Sequence, residues 1–277
     1  MRRIDGRAIA AAIAADTTAA VSRLRAADVV PTLAIVVPTD DEATAWYVRS
    51  LQRAAAKVGI ECLVDEVHGV GGADLAKRLR AHSADPGVHG IILQTPLPAG
   101  VELDDVAGHI DPAKDVDGAN PTSLGRLAAG LPTFPPATAA AVLEILRREE
   151  VALVGKRAVV VGRSTVVGKP AALLLLAEHA TVTVCHSRTV DLPAVCREAD
   201  VLVLALGRPR MIDASYVKPG AVVIDVGTTP TADNTIVGDA NEPSVATQAS
   251  ALTPVPGGVG PVTTALLLHH TATAAGR

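Results

Sequence analysis

Thr253-Pro254-Val255-Pro256-Gly257-Gly258-Val259-Gly260-Pro261 packs three prolines and three glycines into nine residues. Proline fixes φ and removes an amide donor, while glycine lets a ligand press against bare backbone, so the segment suits a rigid wall beside a flat molecule. Pro256, Gly257 and Gly258 are the candidate wall, and Gly260 and Thr264 fall where a closing helix would begin. The same composition also suits a tight interdomain turn. A second candidate is the apolar run Ala158–Val161, followed by Gly162-Arg163-Ser164-Thr165-Val166-Val167-Gly168-Lys169-Pro170. A buried strand, a glycine-bracketed turn and an apolar helix make a dinucleotide-type crossover, with the helix amino terminus offered to a pyrophosphate. Gly162, Arg163, Ser164, Val167 and Gly168 are the candidate contacts. Their spacing is G-x5-G and not G-x-G-x-x-G, so the turn taken alone equally fits a plain strand-to-helix connection. The next strand, Thr181–Cys185, ends in His186-Ser187-Arg188 with no acid to hold a ribose hydroxyl. With Arg163, Ser187 and Arg188 offer a cationic setting for a 2′-phosphate, which favours NADP over NAD. His186 after Thr181–Cys185, Ala205 and Gly207 at the end of the run Val201–Leu206, Asp225, Gly227 and Thr228 at the end of Val222–Val226, and Gly260 and Thr264 at the closing helix are taken as further cofactor contacts.

These residues need strands and helices to hold them. Leu33–Val37 and Gly90–Gln94 are short β-type runs separated by helical stretches, the alternation of an α/β fold with a parallel sheet. Ala137–Glu149 reads as a connecting helix, after which Ala158–Val161, Thr181–Cys185, Val201–Leu206 and Val222–Val226 supply a Rossmann-like unit. The expected division is 1–137 plus 253–277 for one α/β domain and 138–252 for the nucleotide domain, with catalysis in the cleft between them. Met1-Arg2-Arg3 before the Ala8–Ala15 run superficially resembles a secretory leader, but Asp5 and Asp16 fit a capped amphipathic helix better.

Composition narrows the partners. The 277 residues are 49% hydrophobic, enough for one large or two modest cores. Trp46, Tyr47, Phe134 and Tyr216 are the only aromatics and the net charge is −4, which excludes a base-stacking platform or a polybasic nucleic-acid face. Cys62, Cys185 and Cys196 are odd in number and lack C-x-x-C spacing, as in a reducing compartment. The eight histidines lack ligand spacing, so no metal is expected, and the adjacent His269 and His270 read as surface residues. No apolar run is long enough to span a membrane, and the expected location is the cytoplasm.

Six motifs in order then carry a resemblance. Ile4-Asp5-Gly6-Arg7, the helix around Tyr47, Gln94-Thr95-Pro96-Leu97-Pro98, Lys114-Asp115-Val116-Asp117-Gly118, the Gly162–Pro170 turn and the Thr253–Pro261 loop run the length of the chain. Together they resemble the bifunctional methylenetetrahydrofolate dehydrogenase/cyclohydrolase family. The resemblance implies an N-terminal folate-binding domain, an NADP-binding domain, a last helix returning to the first domain, and a homodimer. It also implies hydride transfer from 5,10-methylenetetrahydrofolate, with Asp117 binding the pterin, Tyr47 packing on the folate and Gln94 facing the one-carbon unit. Ser50, Leu51, Pro256, Gly257 and Gly258 would complete the folate site. Without the family, Asp117-Gly118 reads as a turn pair, Tyr47 as a half-buried helix aromatic and Gln94 as a strand end.

One departure is chemical. One helical turn beyond Tyr47, where the family carries a Lys that promotes attack of water on the methenyl carbon, this chain has Leu51. Hydrocarbon cannot exchange protons, so hydrolysis is expected to be weak or lost while hydride transfer survives. Further departures are Ala119 and Asn120 after Asp117-Gly118, Ser123, Ala137 to Ala141, Thr228-Thr229 and His270. They leave open a specialised paralogue moving the one-carbon unit to another acceptor, and a folate binder without hydride transfer.

Overall fold

The computed structural model describes residues 1–231, 233 and 235–277. Contacts divide it into two compact units, Met1–Ala10 with Thr138–Thr263, and Ala11–Ala137 with Thr264–Arg277. The strands are β1 (Arg2–Arg3), β2 (Thr32–Val37), β3 (Glu61–Glu66), β4 (Gly90–Leu93), β5 (Arg157–Val161), β6 (Thr181–Cys185), β7 (Val201–Leu204), β8 (Val222–Asp225), β9 (Thr229–Pro230), β10 (Ile236–Val237) and β11 (Ala251–Leu252). The helices are α1 (Gly6–Ala26), α2 (Glu42–Val58), α3 (Gly72–Ala84), α4 (Leu103–Val106), α5 (Pro121–Ala128), α6 (Ala137–Arg148), α7 (Gly168–Ala177), α8 (Leu192–Cys196), α9 (Glu242–Val245) and α10 (Val259–Ala275). None is long and apolar enough to cross a membrane.

One unit is built on a six-stranded parallel sheet in the order β1-β11-β8-β7-β5-β6. The chain leaves β5 for β6 on one side and returns to β7 on the other, so the ends of β5 and β7 form a topological switch point, where such sheets bind ligands. β5 and β7 are almost wholly buried, as their unbroken Val/Leu runs require of strands covered on both faces. The other unit has a parallel sheet in the order β3-β2-β4. Its core joins Leu33, Ile35 and Val37 to Val48, Leu51 and Ala55 of α2 and to Leu267 and Leu268 of α10.

The division differs from the sequence-based boundaries at both ends. β1 pairs in parallel with β11, Arg2 opposite Ala251 and Arg3 opposite Leu252, so the first ten residues group with the nucleotide-type unit. Gly6 also runs so close to Gly258 that a Cβ there would overlap the Gly258 carbonyl, which brings the segment 253–263 into the same unit. α1 begins where Asp5 caps it, its Oδ1 accepting from the amides of Arg7 and Ala8. The final residues of α10 pack with the Tyr47 unit.

Candidate functional site

In the larger sheet the two bracketing glycines meet. Gly162 has φ 134°, and a Cβ on it would strike the Ala205 carbonyl oxygen after β7. A Cβ on Gly168 would overlap the Gly162 carbonyl oxygen, so the first turn of α7 lies directly on the end of β5. Ser164 closes the turn, its Oγ accepting from the amides of Val167 (3.2 Å) and Gly168 (3.4 Å). A cavity of about 560 Å³ opens beside this cradle, lined by Arg163, Ser164, His186, Ser187, Ala205 and Arg208 among others. Leu192, Met211 and Tyr216 give it an apolar side. A Cβ-free cradle, an apolar slot and cationic edges fit a dinucleotide carrying an extra phosphate.

Not every expected cofactor contact lies on this cavity. Arg188 is exposed and does not line it; its amide donates to His186 Nδ1 in the turn after β6. Gly207, at φ 65°, turns the loop after β7. Asp225 is buried, and its carboxylate accepts from the amides of Gly227 (2.9 Å), Asp239 (3.0 Å) and Ala240 (2.8 Å). Burial pushes its pKa up to about 6. It borders a second cavity of about 390 Å³ with Arg210, Asn241 and Thr253. Thr228 is exposed beyond it. Sequence reasoning passed over Arg208, on the loop after β7, and Asp239, after β10, whose carboxylate accepts from the amides of that loop. The signal for Arg208 was its place directly after Gly207 at the end of a central strand.

The Pro/Gly segment is shaped as its composition requires. Gly257 has φ 106°, with the Arg7 guanidinium close by, and a Cβ on Gly258 would overlap Pro254 and Thr253. Val255-Pro256 is cis. Gly260 lies in the first turn of α10.

In the other unit, Tyr47, Asp117 and Thr264 converge. The Tyr47 hydroxyl shares a hydrogen bond with Thr264 and lies near the Asp117 carboxyl; burial, then that charge, raise its pKa above the ordinary phenol range. Asp117 is pushed up to about 7, first by burial and then by the neighbouring Asp115, against the Ala137 amide, which donates to its Oδ1 at 3.4 Å. Thr264, expected at the cofactor, is hydrogen-bonded to Tyr47 and groups with its unit. Gln94 follows β4, its amide donating to the Val36 carbonyl at 2.9 Å. Ser50 is half-buried on α2, while Leu51 is 1% exposed in the apolar core.

The diverged residues near Asp117 have structural work. Asn120 caps α5 by accepting from the Thr122 amide at 2.7 Å, and its Nδ2 donates to the Ile110 carbonyl at 2.7 Å. Ser123 Oγ donates to Asp115 at 2.5 Å, and the amides of Ala119 and Asn120 donate to the same carboxylate. Gly118 is required, at φ 62°, because a Cβ would overlap Pro136. His270 corrects the expectation of a surface residue. It is buried against Phe134, at 5.1 Å between ring centroids, and its Nδ1–H donates to the Val116 carbonyl at 2.8 Å. Along the largely apolar α10, His270 falls at a buried position while Thr273 stays exposed.

Family models match both halves: the catalytic domain of tetrahydrofolate dehydrogenase/cyclohydrolase over residues 4–117, and its NAD(P)-binding domain over 136–277. The chain is 60% identical to the bifunctional protein FolD of Parafrankia sp. (strain EAN1pec), covering 100% of both. Among solved structures it is similar to the bifunctional FolD methylenetetrahydrofolate dehydrogenase/cyclohydrolase of Campylobacter jejuni, at 37% identity and TM-score 0.97, covering 100% of this chain and 99% of that one. A Trypanosoma brucei methylenetetrahydrofolate dehydrogenase-cyclohydrolase solved with NADP and an inhibitor gives 37% identity and TM-score 0.94, covering 99% and 97%. With a catalytic-domain half, an oxidoreductase's NAD(P)-binding half and matches along its whole length, this chain belongs to the tetrahydrofolate dehydrogenase/cyclohydrolase family.

Proposed function

We propose that the protein oxidises 5,10-methylenetetrahydrofolate to 5,10-methenyltetrahydrofolate with NADP, and that its hydrolysis of the methenyl product is weak or lost. The observation that carries this reading is the pairing of an intact nucleotide cradle at Gly162 and Gly168 with buried hydrocarbon at Leu51. Bound NADP supplies the electron-pair acceptor; the folate nitrogens stabilise the cation left behind, so the protein's task is alignment. Asp117, when ionised, accepts hydrogen bonds from the pterin's amino and ring N–H groups. Tyr47 packs along the folate with its hydroxyl held by Thr264, and Gln94 offers its amide to the one-carbon unit. Gly162, Gly168 and Ser164 hold the pyrophosphate end, and Arg163 and Ser187 the 2′-phosphate.

Hydrolysis makes a different demand, a group that delivers and removes protons beside the methenyl carbon. At Leu51 there is none. Asn120 and Ser123 are used in capping and in holding Asp115, so their departure from the family pattern supports an unaltered folate substrate and not a new acceptor. A folate binder without hydride transfer would have little use for the cradle. The cytoplasmic setting and the homodimer implied by the resemblance belong to the same proposal. The test is both half-reactions on one preparation: NADP reduction that depends on methylenetetrahydrofolate, with methenyltetrahydrofolate consumed no faster than in buffer. Brisk hydrolysis overturns the second half of the proposal, and no reduction overturns the first.

A further inference from the structure

Asp239 is fully buried and spends its carboxylate on one loop. Oδ2 accepts from the amides of Leu206 (2.7 Å) and Gly207 (3.2 Å), and Oδ1 from that of Arg208 (2.7 Å). The same strand end holds the far side of the loop: the Arg210 amide donates to the Gly238 carbonyl at 2.9 Å and the Ile212 amide to the Asp239 carbonyl at 3.0 Å. Gly207 at φ 65°, Pro209 and Arg210 at φ 56° complete a stiff turn. It carries Arg208 into the lining of the 560 Å³ cavity that also holds Arg163 and Ser187. The Arg208 side chain is exposed and has no hydrogen-bond or ion-pair partner among the described residues. Among the described residues, no Asp or Glu lines that cavity. The Asp239 carboxylate beneath the loop is taken up by three backbone amides and makes no contact with the Arg208 guanidinium among the described residues.

We propose that Arg208, set in place by Asp239, is a further binding residue for the 2′-phosphate of NADP, acting with Arg163 and Ser187, and that Asp239 is its positioning residue. This rests on the nucleotide reading above. A guanidinium offers a fork of donors to a phosphate, and a backbone anchored on three amides lowers the cost of holding it there. Arg188, the cation that sequence order suggests, lies off the cavity.

Calorimetric titration of the whole protein with adenosine 2′,5′-bisphosphate and with 5′-AMP tests this without catalysis. The native chain is expected to prefer the bisphosphate by at least about tenfold, the scale of one charged hydrogen bond. Arg208→Gln should remove most of that preference and leave 5′-AMP affinity unchanged. Asp239→Ala should remove a similar share, and the double variant no more than either single one, since both act through one contact. In steady state, Arg208→Gln should raise KM for NADP with kcat and KM for the folate unchanged. Retention of the preference in Arg208→Gln overturns the assignment, as does an equal loss for both nucleotides, which would place Arg208 on the adenine. A native protein with no preference overturns the NADP reading itself.

Discussion

On the proposed reading, Leu51→Lys should supply the group that hydrolysis needs, and its consequences follow from the surroundings. The side chain is 1% exposed among Val48, Ala55, Leu33 and Ile35. An ammonium at that depth loses its hydration, so its pKa should fall by about 3 units from the ordinary ~10.4. At 1.36 kcal/mol per unit this costs about 4 kcal/mol near neutral pH, less whatever pairing with Asp117 or snorkelling recovers. A domain stable by about 5–15 kcal/mol stays folded. The sign is fixed: because the folded chain depresses the lysine pKa, the unfolded chain binds the extra proton. The deficit is therefore full below pH ~7 and closes as pH rises toward ~10. The gain is a base of near-neutral pKa one turn from Tyr47, and proton transfer by such a group is worth roughly 10²–10⁴-fold. The assay follows methenyltetrahydrofolate decay in weakly buffered solution at neutral pH, with NADP reduction measured in parallel. Leu51→Met, which conserves volume, should cost under about 1.5 kcal/mol and gain no hydrolysis. A folded, hydride-transferring Leu51→Lys that hydrolyses no faster than the native chain would refute the claim that this one side chain withholds the second activity.

Asp117 titrates at about 7, so its accepting form is present above that pH; kcat/KM for the folate should fall as pH drops below 7, and Asp117→Asn should raise the folate KM at least about tenfold and flatten that limb. Gly168→Ala drives a methyl into the Gly162 carbonyl and should abolish calorimetric NADP binding, with folate binding retained. Gly6→Ala meets the Gly258 carbonyl and should cost at least about 2 kcal/mol, seen as a Tm lower by about 4–8 °C. Asn120→Ala removes a helix cap and leaves the Ile110 carbonyl unpaired, costing about 1–3 kcal/mol in denaturant unfolding while the folate KM stays unchanged; a large KM change would return Asn120 to the substrate site.

The fold was legible where physics is local. Val159 to Val161 and Val201 to Leu204 are unbroken apolar runs, and such runs in a chain that alternates with helices mean a covered parallel sheet. β3 was not legible, because Glu61-Cys62-Leu63-Val64-Asp65-Glu66 is an edge strand with three acids spread over both faces, and only the fold shows Asp65 buried against Arg78 and His82. β1 and β11 are two residues each and declare themselves only by pairing across the whole length of sequence. Gly162 and Gly168 could be read for their conformational role, but their contact with each other needs the folded turn. Asp239 could not be read, since a loop acid looks the same whether it faces solvent or binds three amides 31 to 33 residues away. His270 was misjudged because an adjacent histidine pair gives no sign of which ring turns inward, and tertiary packing against Phe134 decided it.

The most direct test of the account uses 5,10-methylenetetrahydrofolate carrying deuterium on the methylene bridge, mixed with NADP and the native protein, with the nicotinamide and folate products analysed by mass. Deuterium on the reduced nicotinamide, with methenyltetrahydrofolate accumulating and decaying to the formyl form only at the buffer rate, is the expected result. Unlabelled or unreduced nicotinamide would contradict direct transfer, and immediate appearance of 10-formyltetrahydrofolate would contradict the role assigned to Leu51.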